Sequence, residues 1–404
     1  MRTVRTTPTV TVPRVKLGSI VLETQYGTSQ KANEDGQGIP ILRMGNITNT
    51  GHLDLRDLKH VVLPDGEVDK YSVRKGDLLF NRTNSPDLVG KMAIWDRPEN
   101  FAIAGYLVRV RLHREIADPR FVSYWFNTLE MKAELRAHAK PSINMSNISA
   151  SELLKFDVPL LPLPEQRRIA DVLDRAEALR AKRRAALAEL DGLAQSIFIE
   201  MFGDPCINAK QWPVHALEKL LESVTYGTSQ RSSLDGLLPV LRMNNLTYTG
   251  EMDFSDLKYI NLSEHDMARY TVTDGDILFN RTNSAELVGK TAVFCHPKSM
   301  AYAGYLIRLR VNPQNEPDYV SSLLNSRWGK SCLRTMAKSI IGMANISASQ
   351  IRSLMVPSPP LDLQQEFARR VAAVERLKAV QRASLAELDA LFASLQDRAF
   401  RGAL

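Results

Sequence analysis

Apolar and polar positions along this chain follow two different periods, and each period occurs twice. Residues 15–161 and 214–359 are built from short apolar runs bounded by Gly, Asp and Pro. Pro40–Met44, Leu78–Phe80, Met92–Trp95 and Tyr106–Leu112 read as strands. Lys75-Gly76-Asp77 and Asp274-Gly275-Asp276 supply turn chemistry just before a strand. Pro119–His138 and Pro317–Met336 read as helices. The fold class this predicts is mixed α/β (α+β).

The other stretches, 162–203 and 360–404, have a helical period. Pro162-Leu163-Pro164 and Pro359-Pro360 stand at their starts, where proline is tolerated. Val172, Ala176, Leu179, Arg183, Ala186, Leu190, Leu193 and Ile197 alternate steps of four and three, which predicts a coiled-coil seam. Phe367, Val371, Val374, Lys378, Gln381, Leu385, Leu388, Phe392 and Leu395 predict a second one. Arg183, Lys378 and Gln381 are polar seam residues of the kind that fix register at some cost in stability. Gly203-Asp204-Pro205 stops the first helix, and 204–213 reads as a linker.

The duplication extends to sequence. Asp77–Lys91 and Asp276–Lys290 are identical at twelve of fifteen positions. Tyr-Gly-Thr-Ser-Gln recurs at 26–30 and 226–230, Ala-Gly-Tyr-Leu at 104–107 and 303–306, and Leu-Ala-Glu-Leu-Asp at 187–191 and 385–389. The offset drifts only from 200 to 198. That is far longer than a solenoid repeat. It implies two copies of a domain plus its helix, related by an approximate dyad, so the helices are expected to run antiparallel. Residues 1–14, rich in Thr and Pro, read as a disordered tail.

Composition changes this picture modestly. The 404 residues carry a formal charge of +7, which permits nucleic-acid binding without requiring it. No signal peptide or membrane-spanning run is evident, so a cytoplasmic protein is expected. The three cysteines form no C-x-x-C pair, which argues against a disulfide framework or a zinc site. No phosphate-cradling loop, dinucleotide fingerprint or base-holding methyltransferase motif is present in either copy. Glu130-Met131-Lys132 resembles half of a nuclease motif but falls in a predicted helix and lacks a counterpart in the second copy. No catalytic residue, metal ligand or bound cofactor is therefore expected.

What both copies keep is polar. The first carries Tyr26, Thr28, Ser29, Gln30, Arg43, Asn46, Arg82, Asn84, Ser85 and Lys91, with Lys140 further on. The second carries Tyr226, Thr228, Ser229, Gln230, Arg242, Asn245, Arg281, Asn283, Ser284 and Lys290, with Lys338. Arg, Asn and Gln read base edges, while Ser, Thr and Lys suit phosphates, so these residues are the expected DNA-binding set. A folding role for Asn-Arg-Thr-Asn-Ser is the competing reading for any one of them. Should the shared loops be scaffold, readout moves to segments that differ. Lys31–Ile39 against Arg231–Leu238 is one such pair, and Pro141–Asn144 against Ser339–Gly342 is another.

These motifs resemble those of the specificity subunits of type I restriction-modification systems. The resemblance rests on Arg-Met-Gly-Asn-Ile at 43–47, Leu79-Phe80-Asn81-Arg82 with Thr83-Asn84-Ser85, and Asn147-Ile148-Ser149. Pro162-Leu163-Pro164-Glu165-Gln166 and Met201-Phe202-Gly203-Asp204-Pro205 add to it. The second copy departs at Asn244-Asn245-Leu246 and Leu361-Asp362-Leu363. The resemblance implies two target recognition domains, 15–161 and 214–359, each reading half of a split DNA site, with the two helices as spacer. It implies a non-catalytic chain that recruits modification (methyltransferase) subunits, two of them, and restriction subunits that translocate and cleave DNA. S-adenosylmethionine would sit on the modification subunit. A DNA methyltransferase fused to its specificity domains, and a coiled-coil scaffold, are the alternatives.

Overall fold

The computed structural model describes residues 12–142, 144–340 and 343–404. Of the predicted tail, residues 1–11 lie outside the described residues. The chain divides into two units, residues up to 182 with 384–404, and residues 183–383. No helix among the described residues is long and apolar enough to cross a membrane.

In the first unit β1 (Arg14–Lys16) leads to β2 (Val21–Tyr26), β3 (Ile39–Leu42) and β4 (Lys59–Val61). Then come α1 (Val68–Tyr71), β5 (Leu78–Asn81), β6 (Thr83–Asn84), β7 (Met92–Ile94), β8 (Ala102–Ile103) and β9 (Leu107–Leu112). Next are α2 (Pro119–Phe126), α3 (Leu129–His138), β10 (Lys140–Ser142), β11 (Met145–Asn147), α4 (Ala150–Leu153) and β12 (Asp157–Pro159). The long helix α5 (Leu163–Phe202) follows.

The main sheet has the order β2-β9-β5-β7 and is antiparallel throughout. A second sheet, β4-β3-β8, pairs β3 with β8 in parallel. A third, β10-β11-β6, carries a hairpin, and β1 pairs with β12. The second unit repeats the plan. Leu221–Tyr226, Leu306–Val311, Ile277–Asn280 and Thr291–Val293 form its main sheet in the same order.

The alternation of β5 explains its burial on both faces. Leu78 and Phe80 face a core with Phe121, Trp125 and Leu135, while Leu79 faces a smaller one with Trp95 and Ile103. The stretch predicted as one helix over Pro119–His138 is two. Thr128 caps α3 by accepting from Met131 N, and its own hydroxyl donates to Trp125 O, so the chain turns there. Pro317–Met336 likewise breaks, with Ser326 capping a new helix at Arg327.

Helix α5 is tied to the first unit by the buried Gln166. Its Oε1 accepts from Asp118 N at 2.9 Å, and its Nε2 donates to Leu161 O at 2.7 Å and Ile116 O at 3.0 Å. Gln364 does the same in the second unit, at the start of the second long helix, Leu361–Phe400. Within the first unit Arg180 Nε meets Asp389 Oδ1 at 2.6 Å, and Ile169 and Leu173 join Ala399 and Phe400 in the core. Within the second unit Arg183 donates to Gln381 Oε1 at 2.9 Å, Lys378 meets Asp191 at 2.8 Å, and Phe198 lies 5.7 Å from Phe367. In both units residue numbers rise along one helix as they fall along the other, so the paired segments are antiparallel.

The predicted seam of α5 needs correction. The buried strip runs one residue further on over much of the helix, through Leu173, Glu177 and Phe198, with Arg180 half-buried in line with them. Of the predicted residues Ala176 is buried and Val172, Leu190 and Ile197 are half-buried, but Leu179 is 50% exposed. The apolar period misled because the strip is charged in its middle. Arg180 and Glu177 pair there, at positions an apolar period passes over. On the second long helix Val374 and Lys378 are buried, and Val371, Leu385, Leu388 and Leu395 are half-buried.

Candidate nucleic-acid interface

Four loops of the first unit converge at one end of its main sheet. Tyr26 ends β2, Arg82 follows β5, Tyr106 precedes β9, and the β10–β11 hairpin lies alongside β6. Gly27 makes the first approach possible, since a Cβ there would stand 2.2 Å from Ala104 O. Thr28 N then donates to Ile103 O at 2.8 Å, and Gly105 N to Thr28 O at 2.8 Å. Arg82 N donates to Tyr106 O at 3.0 Å, and Ile148 N to Arg82 O at 2.9 Å.

Side chains complete the join. The Arg82 guanidinium stands 4.9 Å from the Tyr26 ring centroid and donates to Asn147 Oδ1 at 3.1 Å. Asn147 in turn donates to Thr83 Oγ1 at 2.9 Å, and the Tyr26 hydroxyl accepts from Ala150 N at 2.9 Å. The second unit builds the same arrangement. Arg281 stands 5.0 Å from the Tyr226 centroid and donates to Asn345 Oδ1 at 3.0 Å, and Tyr226 accepts from Ala348 N at 2.9 Å.

The expected DNA-binding residues divide sharply on this surface. Tyr26, Ser29, Gln30 and Lys140 are exposed, as are Tyr226, Ser229 and Gln230. Arg82 and Ser85 are half-buried at the rim, as are Arg281, Asn283 and Ser284. The side chain of Lys338 lies outside the described residues.

The rest are folded inward. Asn46 is buried, accepts from Arg43 N at 2.8 Å and donates to Asp54 O at 2.8 Å and Asp57 O at 3.0 Å. Asn245 repeats all three bonds with Arg242, Asp253 and Asp256. Both amides are therefore spent on a loop and cannot reach a base edge. Arg43 and Arg242 clamp the same loop, through Asp57 and Asp256, each at 2.8 Å.

Lys91 is buried with its Nζ on the carbonyls of Met44, at 3.1 Å, and Ile47. Lys290 is held by Met243 O at 2.7 Å and Leu246 O at 2.5 Å. Burial pulls both ammonium groups below the ordinary lysine value. Thr28 and Thr228 are buried and accept from Gln30 N and Gln230 N. Asn84 is buried, bonded to Asn81 Oδ1 and to Ser85 N. These residues recur because each copy of the fold needs them, so their repetition is no sign of DNA contact.

The family model described as the type I restriction modification DNA specificity domain matches residues 11–189. The specificity subunit of the type I restriction enzyme EcoKI of Escherichia coli is 25% identical over 389 residues, which cover 91% of this chain and 82% of that protein. The putative type I restriction enzyme MjaX specificity subunit of Methanocaldococcus jannaschii is 30% identical over 160 residues, 39% of this chain and 37% of that protein. The crystal structure of the S subunit of a type I restriction-modification system from M. genitalium matches with a TM-score of 0.61 at 13% identity, over 98% of each chain. That last likeness is one of fold.

Residues 11–189 carry the type I restriction modification DNA specificity domain, and over most of its length the chain is similar to a type I restriction enzyme specificity subunit. The domain matched is a DNA specificity domain, and the relative aligned over 91% of this chain is a specificity subunit rather than a methylase.

In a specificity subunit the exposed residues of the loop cluster gain meaning, and some were missed from sequence. Tyr106 and Tyr305 are 49% and 51% exposed, each beside the arginine of its unit. Their signal in the sequence is Ala-Gly-Tyr-Leu, which occurs in both copies. Asn147 and Asn345, which orient those arginines, also lie in a shared Asn-Ile-Ser segment.

Proposed function

We propose that each unit reads one half of a bipartite double-stranded DNA site through its loop cluster. Tyr26, Ser29, Gln30, Arg82, Tyr106 and Lys140 do so in one unit. Tyr226, Ser229, Gln230, Arg281 and Tyr305 do so in the other. Supporting this is the construction of the same surface twice: an exposed tyrosine pair flanking an arginine whose fork is oriented by an asparagine. Arginine offers paired donors to guanine O6 and N7, glutamine donates to adenine N7 and accepts from its N6 amine, and tyrosine adds contact area with little entropy to lose.

The chain acts in the cytoplasm, takes no cofactor itself, and recruits two methyltransferase subunits that bind S-adenosylmethionine. Restriction subunits join the full complex. The test is affinity selection from a random duplex library by the full chain with its methyltransferase partner. A gapped, two-part motif is expected. Retention without sequence preference would contradict the reading.

A further inference from the structure

The loop after Gln230 differs in chemistry from its counterpart. Ser233 N donates to Tyr259 O at 2.9 Å, as Asn33 N donates to His60 O at 2.8 Å, which fixes the alignment. Counting on from there, Leu234 falls on Glu34 and Asp235-Gly236 on Asp35-Gly36; the second loop is one residue shorter, since Leu238 pairs with Ile260 as Ile39 pairs with Val61, so Leu237 stands in place of Gln37-Gly38. Leu234 is 78% exposed and Leu237 is 92% exposed.

These leucines are held out rather than loose. Asn261 pins both ends of the loop, accepting from Leu237 N at 2.9 Å through Oδ1 and from Gln230 Nε2 at 3.0 Å through its carbonyl. Gly236 lies so close to Ile260 N that a Cβ would stand 2.7 Å away. A rigid loop presenting two leucines to water is costly unless a partner covers them. The charge changes in the same direction. Glu34 neutralises Lys59 at 2.6 Å, whereas among the described residues the matching Lys258 forms no salt bridge. The segment is thus continuous with Gln230 and Tyr226, more apolar than its counterpart and less acidic, which suits a duplex and not a cationic partner.

We infer that Leu234 and Leu237 are specificity-determining residues that contact thymine C5-methyl groups in the half-site read by the second unit. This rests on the DNA-reading role proposed above. The thymine methyl is the apolar feature that base pairs display in the major groove, so it is the group two fixed leucines can distinguish.

The test uses the full chain with its methyltransferase partner. Duplexes carrying the selected motif are made with each thymine replaced in turn by deoxyuridine, which removes only the methyl. Affinity is expected to fall about fourfold at one or two positions of one half-site, the ratio equivalent to ~0.8 kcal/mol per buried carbon. The doubly substituted chain Leu234→Glu, Leu237→Gln carries the first unit's residues at exposed positions. Its melting temperature should match the parent's, and it should lose the deoxyuridine effect while the other half-site is read unchanged. Equal affinity for all deoxyuridine duplexes, an unaltered effect in the substituted chain, or a half-site with no thymine on either strand overturns the inference. The same leucines weakening methyltransferase capture instead of DNA reading would overturn it too. Selection of no motif at all would remove the DNA-reading role first, and this inference with it.

Discussion

The guanidinium of Arg82 lies over the ring of Tyr26, 4.9 Å from its centroid. The pair joins the end of one strand to the start of another, and Asn147 joins both to the β10–β11 hairpin. Arg82 therefore does two things at once. It presents a cation at the rim of the loop cluster and it fastens that cluster together. Arg82→Ala should destabilise the chain by about 1–2 kcal/mol, from its hydrogen bonds to Asn147 Oδ1 and, at 3.4 Å, Gly105 O and from one cation–π contact. It should also weaken reading of one half-site by about 1–3 kcal/mol. Chemical denaturation checks the first and competition binding with half-site variants the second. Equal loss at both half-sites would mark the residue as scaffold only.

Lys91 and Lys290 should matter for stability and not for readout. Lys91→Ala leaves two carbonyls without their donor and opens a cavity, a cost of about 2–4 kcal/mol. The selected motif should not change. The pH dependence has a defined sign. Burial lowers the native ammonium below the ordinary lysine value of 10.5, so between the two values the unfolded chain holds more protons. Stability from this residue therefore rises with pH in that window. Lys91→Met should flatten the rise, which denaturation curves across the alkaline range would reveal.

These two lysines also show what a sequence can and cannot say. The strands, the two long helices and the duplication were legible, because periodicity and identity report the core directly. Lys91, Asn46 and Thr28 were misread because polar residues kept in both copies serve loop closure as readily as ligand contact. Only their burial separates the two uses. The seam of α5 shifted by one residue for a related reason: the buried Glu177 and the half-buried Arg180 occupy it as an ion pair, and an apolar period cannot register that. Tyr106 was overlooked although it recurs, because a tyrosine in an apolar run resembles core until its exposure is known.

Asp318 sits in the first turn of the helix Pro317–Asn325, and burial raises its carboxyl to about 6, with Glu316, Glu375 and Asp274 adding to the shift. The unfolded value is 3.8, so the folded chain binds the extra proton between about 4 and 6. A raised carboxylate pKa means the charged form is disfavoured in the fold. Stability from this group is present at low pH and is lost as pH rises through about 6. Asp318→Asn should therefore stabilise the chain at pH 7.5 by about 1–2 kcal/mol, with the gain gone below pH ~4. Thermal melts at the two pH values decide it.

Lys378 is buried among three carboxylates, Asp191 at 2.8 Å, Glu375 at 3.1 Å and Glu251. Burial works against its charge, but those partners outweigh it and hold the ammonium above the ordinary lysine value. Lys378→Ala removes the shared partner of three partly exposed carboxylates, of which Glu251 keeps Arg382, and should cost about 1–3 kcal/mol. Lys378→Arg should retain most of the stability. Denaturation of the two variants makes the comparison, and a mild loss in the alanine variant would show that water already screens the cluster.

The central claim is that two equivalent surfaces each read one half of a DNA site. The most direct measurement is sequencing of duplexes retained from a random library by the full chain with its methyltransferase partner. The same selection is then made with Gln30→Ala, Tyr106→Ala in the first unit, and separately with Gln230→Ala, Tyr305→Ala in the second. The account predicts a two-part motif for the parent chain, and loss of a different half in each variant while the other half persists. A motif that fades at both halves in either variant, or no change in either, would contradict it.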